Sequence, residues 1–164
     1  MALKLVIGNK NYSSWSMRPW IAMKVAGIAF DEEVISLDAA DFKARVSRLS
    51  GTGKVPVLHH KGIAIPDSLA IIEYLEETFP QPAHPALWPQ DAAERAHARW
   101  LAAAMHSGFM KLREGMSFNT CFLPRRPSPS AEAIADAAEM LALFETALQG
   151  KRSKGAFLFG PFGG

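Results

Sequence analysis

A run of prolines between Phe79 and Asp91 limits what this chain can fold into more than any other feature of the sequence. The segment FPQPAHPALWPQD holds four prolines. Proline lacks a backbone N–H and clashes with the preceding helical turn, so this segment can be neither a helix nor a central strand. Short apolar runs and helical patterns alternate before it, and alanine-rich helical patterns follow it. The sequence therefore predicts an α/β domain over residues 1–79, a proline-rich linker over residues 80–90 and an all-α region over residues 91–164.

The first 79 residues show strands and helices in alternation, followed by a hairpin. Pro19 falls in the first turn of a predicted helix and Gly27 follows its last turn, while Lys61-Gly62 is a typical hairpin connection. The predicted order, β-α-β-α-β-β-α, is that of an α/β sandwich. The predicted elements are strand Leu3–Ile7, helix Ser16–Ala26, strand Phe30–Leu37, helix Ala40–Leu49, strands Val55–His59 and Ile63–Ile65, and helix Ser68–Phe79.

The residues after the linker predict two helices and an apolar tail. Asp91 followed by Glu94 resembles a capping box, so the first helix is predicted from Asp91 to about Met116. The second is predicted from Ser130 to Leu148. Two helices do not bury a core of their own, so we expect this all-α region to be incomplete. The predicted apolar face of the second helix consists of Ile134, Leu141, Phe144 and Leu148.

The charge and cysteine content argue against several classes of function. The formal net charge is only +2 and the basic pairs Arg125-Arg126 and Lys151-Arg152 are isolated, so we expect no nucleic-acid partner. Cys121 is the only cysteine, which favours a reducing cytoplasm, and we expect it to pack rather than react. No apolar run approaches the roughly 18 residues of a membrane-spanning helix. The first residues do not resemble a signal peptide either, so we expect no membrane partner.

The stretch NYSSWSMRPW, residues 11–20, joins the first predicted strand to the first predicted helix. It places the hydroxyls of Ser13, Ser14 and Ser16 close to the guanidinium of Arg18. The first turn of a helix has unpaired N–H groups and the positive end of the helix dipole, so this junction is suited to stabilise an anion. Ser16, at the predicted start of the helix, is the expected helix cap.

Two further segments allow more than one interpretation. The Val55-Pro56 peptide bond precedes the hairpin and is either trans, as in most X–Pro bonds, or cis. A cis bond would turn the backbone N–H and carbonyl of Val55 outward, where they would pair with an extended peptide. Asp67 and Ser68 begin a predicted helix. They either cap this helix or bind the ammonium and carboxylate groups of an α-amino acid.

Taken together, the motifs SSWSMRPW, GKVPVL and PDSLAIIEYLEE resemble those of the cytosolic glutathione S-transferases in order and spacing. The first motif is most similar to that of the serine-dependent classes, especially the zeta class, whose form is SSxSxR. The resemblance implies a thioredoxin-like N-terminal domain with a cis-proline before its third strand, followed by an all-α C-terminal domain. It also implies a cytoplasmic homodimer, joined through the predicted helices Ser68–Phe79 and Asp91–Met116.

The resemblance also implies roles for the residues at matching positions. Ser13 matches the serine that activates the glutathione thiol, with Ser14 beside it as a second donor. Near the second helix, the family has a basic residue for the glycyl carboxylate of glutathione, for which Lys43 and Arg45 are the alternatives. The aspartate of the γ-glutamyl site is one methylene shorter than the usual glutamate. The matching glutathione-binding residues are Lys54, Val55 and Pro56 at the cysteinyl backbone, and Asp67 and Ser68 at the γ-glutamyl group.

The second substrate would bind in a pocket between the two domains. On one continuous helix, His106, Met110 and Arg113 share a face, and together with Trp15 they are the candidates for this electrophile pocket. Ordinary helix packing is the alternative for His106 and Met110. The expected activity is attack of the glutathione thiolate on a small electrophile, by conjugation or by isomerisation of the zeta kind, with glutathione as co-substrate and no metal. The alternative is a non-catalytic binding or dimerisation module of the same architecture.

Overall fold

The computed structural model describes residues 2–79, 83–120, 128–150 and 155–160. The chain divides into two compact units, and the boundary between them lies between Leu87 and Trp88. This boundary falls inside the segment predicted to be a linker. Cys121, which is predicted to pack, and the two basic pairs of the sequence lie outside the described residues.

The first unit has the predicted order of elements, β-α-β-α-β-β-α, around a four-stranded sheet. The α/β, thioredoxin-like class of the N-terminal domain is therefore confirmed. Strand β4, the end of β1 and the start of α3 keep their predicted bounds. The elements are β1 (Lys4–Ile7), α1 (Ser14–Val25), β2 (Asp31–Val34), α2 (Phe42–Ser50), β3 (Val57–His60), β4 (Ile63–Ile65) and α3 (Ser68–Thr78).

The strand order in the sheet is β2-β1-β3-β4, which places β1 in an inner position. It runs parallel to β2 and antiparallel to β3, with Val6 opposite Val57, and β3 runs antiparallel to β4, with Leu58 opposite Ile65. The end of β1, the start of β3 and the end of β4 therefore lie at the same edge of the sheet. We call the residues at this edge, 8–16, 51–56 and 66–68, the site edge.

The inner strands β1 and β3 are buried on both faces. Because side chains alternate along a strand, Leu5, Ile7 and Leu58 point to the face on which α1 and α3 lie, and all three are fully buried. Burial of such an aliphatic side chain stabilises the fold by about 1.5–3 kcal/mol. The inner strands are therefore a rigid support for the site edge. The opposite face has a cluster of fully buried residues, Val6, Ile35, Val46 and Val57.

Helix α1 begins two residues earlier than predicted, which corrects the role of Ser16. The N-cap is Ser13, whose Oγ accepts a hydrogen bond from the N–H of Ser16 at 3.4 Å. Ser16 lies inside the helix and is fully buried, so its prediction as the helix cap is wrong. The physical reason is that the loop before the helix closes at Ser13, whose N–H donates to the carbonyl of Asn9 at 2.9 Å.

Strand β2 is shorter than its predicted range, Phe30–Leu37. After Val34, the N–H of Ile35 still donates to the carbonyl of Ile7 at 2.9 Å. The N–H of Leu37 donates instead to the side chain of Asn9, at 2.8 Å from its Oδ1, so the backbone has left the sheet. The predicted strand is too long because the apolar residues Phe30, Ile35 and Leu37 flank the four residues that pair with β1.

The second unit contains α4 (Ala92–Ser107), α5 (Met110–Gly115) and α6 (Ala131–Gln149). The prediction of one helix from Asp91 to Met116 is wrong, because the backbone is extended at Gly108 and left-handed at Phe109, with φ 61°. The break buries the Phe109 side chain. The break also places the Arg113 guanidinium against the end of α4, where it donates to the carbonyls of Gly108 and Met105. These bonds satisfy carbonyls that a helix end leaves unpaired.

The caps of the second unit agree with the sequence, but the packing of α6 does not. Asp91 caps α4, as predicted, and Ser130, the predicted first residue of α6, is its N-cap. Of the predicted apolar face of α6, Ile134, Leu141 and Leu148 are each more than half exposed, while the buried residues of this helix are alanines. Within the part of the chain that the structure describes, nothing covers these three side chains.

Two hydrogen bonds hold the residues just before the unit boundary on the first unit. The N–H of Leu87 donates to Oε2 of Glu76 on α3 at 2.6 Å. The ring of His84 places its Nδ1 3.0 Å from the carbonyl oxygen of Ala26, at the end of α1. Residues 83–87 are therefore part of the α/β unit, although the sequence assigns them to the linker.

A buried histidine lies beside this anchor. Nδ1 of His60 is 2.8 Å from the hydroxyl of Tyr74, and its ring stacks on that of Phe79 with 5.8 Å between centroids. Only 8% of His60 is exposed. Burial, and to a lesser degree the positive charge of Lys61, lowers the pKa of His60 below its ordinary value.

Acidification should weaken the fold through His60. In the unfolded chain its pKa is about 6.5, and in the folded chain it is lower, so the unfolded state binds more protons as the pH falls below about 6.5. We expect the urea midpoint to decrease between about pH 7.5 and pH 5.5, and to decrease less in His60→Gln. The carboxylate of Glu33, whose pKa the hydrogen bond from Lys4 lowers, titrates below this window. Identical pH dependence in the two proteins would refute the role of His60.

Candidate functional site

The loop before α1 is fixed to the end of β2 by two side-chain hydrogen bonds. Oδ1 of Asn9 accepts the N–H of Leu37 at 2.8 Å, and the hydroxyl of Tyr12 donates to Oδ2 of Asp38 at 2.5 Å. Ser13 follows this anchored loop, so its position depends on contacts with residues about 25 positions later in the chain. The sequence analysis did not predict the Tyr12–Asp38 bond.

Ser13 lies at the N-terminus of α1, where the sequence predicts an anion site. It is 7% exposed, and its hydroxyl donates to Oγ of Ser16 at 3.0 Å. Ser14, the first residue of the helix, is half-buried beside it. The unpaired N–H groups of this turn and the positive end of the helix dipole favour a negative charge near Ser13. The sequence missed the buried position of Ser16, although its spacing of three from Ser13 is that of a capping interaction.

The segment before β3 offers backbone hydrogen bonds. The Val55-Pro56 peptide bond is cis. The ladder between β1 and β3 begins at Val57, and neither the N–H nor the carbonyl of Val55 bonds to any of the described residues. Lys54, whose N–H donates to Oγ1 of Thr52 at 3.3 Å, has an exposed side chain. Val55 can therefore form backbone hydrogen bonds with an extended ligand at the site edge.

At the start of α3, one of the two interpretations of Asp67 is confirmed. Its Oδ1 accepts hydrogen bonds from the N–H groups of Leu69 and Ala70, each at 2.9 Å, so Asp67 caps the helix. Ser68 is the first helical residue and is 2% exposed, and its hydroxyl makes no hydrogen bond with the described residues. A nearly buried hydroxyl at a helix N-terminus is suited to an anionic group.

The structure distinguishes the two basic candidates on α2. The guanidinium of Arg45 lies 3.4 Å from Oε1 of Glu33 on β2, so it is engaged in an ion pair. Lys43 lies instead beside the loop that leads to β3: its Cγ is 3.6 Å from the point where a Cβ on Gly53 would stand. Of the two candidates, Lys43 is therefore the one that lies beside Gly53, in the loop that leads to Val55.

The predicted electrophile-pocket residues do not form the arrangement that the sequence suggested. His106 is in α4, whereas Met110 and Arg113 are in α5, so the break at Gly108 removes the shared helical face. Met110 is 54% exposed, and the guanidinium of Arg113 binds backbone carbonyls. In the first unit, Trp15 is half-buried, with the guanidinium carbon of Arg18 4.3 Å from its ring centroid.

The described residues include neither a cluster of metal ligands nor a membrane-spanning helix. No group of three or more His, Cys, Asp or Glu side chains in these residues is arranged to hold a metal ion. In the same residues, no helix combines the length and apolar character needed to cross a bilayer.

Comparison with known proteins agrees with this geometry. Residues 12–78 match the family model for the N-terminal domain of glutathione S-transferases. A probable maleylacetoacetate isomerase from Caenorhabditis elegans is 36% identical over 100 residues, covering 61% of this chain and 45% of the relative. Glutathione S-transferase 1 from Dianthus caryophyllus is 39% identical over 94 residues, covering 57% of this chain and 41% of the relative. The chain thus spans about half the length of the curated relatives it matches.

The solved structures resemble the whole chain. A glutathione transferase homolog from Burkholderia gl BGR1, solved with bound glutathione, superimposes with a TM-score of 0.73 at 26% identity, over 99% of this chain and 75% of the other. The fold and the site edge thus define a thioredoxin-like domain, which is followed along the chain by a helical region. Residues 12–78 are therefore similar to the N-terminal domain of glutathione S-transferases, and the fold of the chain is similar to that of a glutathione transferase homolog.

Removal of the Asp67 cap should destabilise the first unit. In Asp67→Ala two N–H groups of α3 lose their acceptor, and we expect the free energy of unfolding in urea to fall by about 0.5–2 kcal/mol. Asp67→Asn keeps an oxygen that can accept the same bonds and should retain most of the stability. Asp91→Ala, which removes the equivalent cap of α4, is the matched control in the second unit and should show a loss of the same order. An unchanged stability of Asp67→Ala would contradict the capping role.

Proposed function

We propose that this chain is a glutathione transferase, which binds glutathione along the site edge and lowers the pKa of its thiol at Ser13. The single observation that supports this most is the convergence of three complementary features at one edge. These are a hydroxyl at the N-terminus of α1, unpaired backbone groups at Val55, and a nearly buried hydroxyl at the N-terminus of α3. Glutathione has a thiol, a peptide backbone and an α-carboxylate, which match these three features in their chemistry.

The γ-glutamyl end would bind at α3. Its carboxylate receives hydrogen bonds from the hydroxyl and the N–H of Ser68, because the next two N–H groups of the helix already donate to Asp67. The helix dipole also favours a negative charge here. Its ammonium is attracted by the carboxylate of Asp67, which is already held in place by the two capping bonds. Both interpretations of Asp67 are therefore compatible, because one residue caps the helix and supplies the charge.

The cysteinyl residue would pair with Val55 in the manner of an added strand. Two backbone hydrogen bonds, each worth about 0.5–1.5 kcal/mol, would fix its register. Pro56 and Lys54 flank this contact, and Lys54 has an exposed ammonium. At the glycyl end we propose Lys43 rather than Arg45, because Arg45 is paired with Glu33 while Lys43 lies beside Gly53.

The chemistry needs a thiolate, which is the nucleophilic form of the thiol. A decrease of the thiol pKa from about 8.5 to about 6.5 requires roughly 2.7 kcal/mol. A hydroxyl that donates to a charged sulfur contributes about 1.5–3 kcal/mol, and the helix N-terminus about 0.3–2 kcal/mol. Ser13 and α1 together supply enough free energy without a general base, with Ser14 as a second donor.

The thiolate would then attack an electrophilic carbon of a small second substrate. In a conjugation the new S–C bond remains. In a substitution the leaving group departs with the electrons of its bond to carbon, and in an addition the carbanion that forms takes up a proton. In an isomerisation, the sulfur adds to a conjugated double bond, the carbon–carbon bond rotates, and elimination returns the thiolate. The names of the relatives include both an isomerase and a transferase, and the two reactions share this first step.

We place the protein in the cytoplasm as a homodimer. The single cysteine favours a reducing compartment. Dimerisation through α3 and α4 follows from the family resemblance. The second candidate function, a non-catalytic module, differs in one measurable property: it would bind glutathione without lowering the pKa of its thiol.

The Ser13→Ala variant tests this proposal. The thiol of bound glutathione is titrated through the ultraviolet absorbance of its thiolate. We expect the parent to lower its pKa below the free value of about 8.5, and Ser13→Ala to raise it again by about 1–2 units. Affinity for S-methylglutathione, which has no titratable thiol, should change little. A parent protein that binds glutathione with an unshifted thiol pKa would favour the module, and equal thiol pKa values in parent and variant would refute the role of Ser13.

The Lys43→Met and Arg45→Met variants test the glycyl site. Since Lys43 is exposed, its loss should weaken glutathione binding by about two- to fivefold in calorimetry, whereas the matched Arg45 variant should bind like the parent. Glutathione with an amidated glycyl carboxylate should bind Lys43→Met and the parent equally well. A larger loss for Arg45→Met than for Lys43→Met would reverse the assignment.

A further inference from the structure

We propose that Ser16 is a positioning residue for the thiolate reaction: the N–H of Gly8, the hydroxyl of Ser16 and the hydroxyl of Ser13 form a hydrogen-bond relay that directs the Ser13 proton to the sulfur. This inference rests on the proposed function, since it assumes that Ser13 faces the thiol of glutathione. The sequence treated Ser16 as a helix cap, and neither the fold nor the proposed chemistry has so far given it another role.

The geometry of the relay is short and buried. The N–H of Gly8, directly after β1, donates to Oγ of Ser16 at 3.0 Å. The Oγ atoms of Ser16 and Ser13 are also 3.0 Å apart. Ser16 is fully buried and Ser13 is 7% exposed, so the relay runs from the interior to the site edge. A hydrogen bond in such a low-dielectric environment is stronger than in water.

The number of hydrogens restricts what this pair can do. Ser13 and Ser16 each have one hydroxyl hydrogen, but only one of them can lie between the two oxygens. In the structure Ser13 donates to Ser16. In the described part of the chain, the hydroxyl of Ser16 has no acceptor other than Oγ of Ser13. Ser16 can therefore donate only when Ser13 turns its own hydrogen elsewhere.

A thiolate at the site edge provides that other acceptor. The hydroxyl of Ser13 rotates toward the sulfur, the hydroxyl of Ser16 rotates to donate to Oγ of Ser13, and the N–H of Gly8 continues to donate to Ser16. No covalent bond forms or breaks, and no proton changes its oxygen. Oγ of Ser13 then accepts from both the N–H and the hydroxyl of Ser16. Each bond polarises the next, which strengthens the bond to the sulfur by about 10–30% per link.

A purely structural role for Ser16 makes a different prediction. The bond from Gly8 also fastens the end of β1 to α1, so the loss of Ser16 will lower stability in either case. A structural role would change stability and affinity, and it would act whether or not Ser13 has a hydroxyl. The relay acts on the thiol only through the hydroxyl of Ser13.

The experiment is a double-mutant cycle on the thiol pKa of bound glutathione, measured by thiolate absorbance. We expect Ser16→Ala to raise this pKa by about 0.3–1 unit, and to have no further effect in the Ser13→Ala background. Ser16→Thr, which keeps a hydroxyl on the same carbon, should restore the parent value. Ser107→Ala, which removes a helical serine hydroxyl in the second unit, is the matched control and should leave the pKa unchanged.

The outcomes separate this inference from the proposed function. If Ser13→Ala shifts the thiol pKa and Ser16→Ala does not, the relay is refuted and the transferase proposal remains. If Ser13→Ala has no effect, the proposed function fails first. If Ser16→Ala shifts the pKa equally with and without the Ser13 hydroxyl, Ser16 does not act through Ser13. If Ser16→Ala does not fold, Ser16→Cys is measured in its place, and the absorbance of its own thiol, titrated without ligand, is subtracted. A thiol pKa of bound glutathione equal to that of the parent would then refute the relay.

Discussion

The pairing of β1 with strands on both of its sides is the constraint on which the rest of the first unit depends. Val6 faces β2 on one side and Val57 of β3 on the other, and all of its side chain is buried. Because β1 and β3 are antiparallel, the residues that leave β1 meet those that enter β3. A shift of one residue in this register would turn every side chain of the strand to the opposite face and separate the three segments of the site edge.

Two helices present their N-termini at this edge, with different chemistry. The start of α1 has serine hydroxyls and no acidic side chain in its first turn, which suits a soft anion such as a thiolate. The start of α3 has a carboxylate fixed by two backbone bonds beside a serine hydroxyl, which suits a zwitterionic group. The same backbone feature therefore serves two parts of one ligand, and the side chains at each cap determine which part.

The sequence predicted the element order of the first unit and the start of α3 at Ser68, because these follow from local signals: turn residues, caps and apolar period. Its choice of Ser13 among three serines came from the family resemblance. It failed where distant contacts decide the outcome. Leu37 leaves the strand because Asn9 captures its N–H, and the helix of the second unit breaks because Phe109 is buried and Arg113 binds the carbonyls released by the break. Neither contact leaves a pattern within a window of the sequence. The role of Ser16 was misread for the same reason, since its partner Gly8 is eight residues away.

The attachment of residues 83–87 to α1 and α3 has a consequence for dissecting the molecule. The prolines suggest a cut after Phe79, where the pattern of the α/β region stops. Such a fragment would lose the N–H donor from Leu87 and would leave the carboxylate of Glu76 without it. It would also lose two contacts of the His84 ring, the hydrogen bond with the carbonyl of Ala26 and the edge contact with the Phe79 ring. A fragment meant to fold as the first unit should therefore end after Leu87, because the hydrogen bonds of His84 and Leu87 with α1 and α3 are then retained.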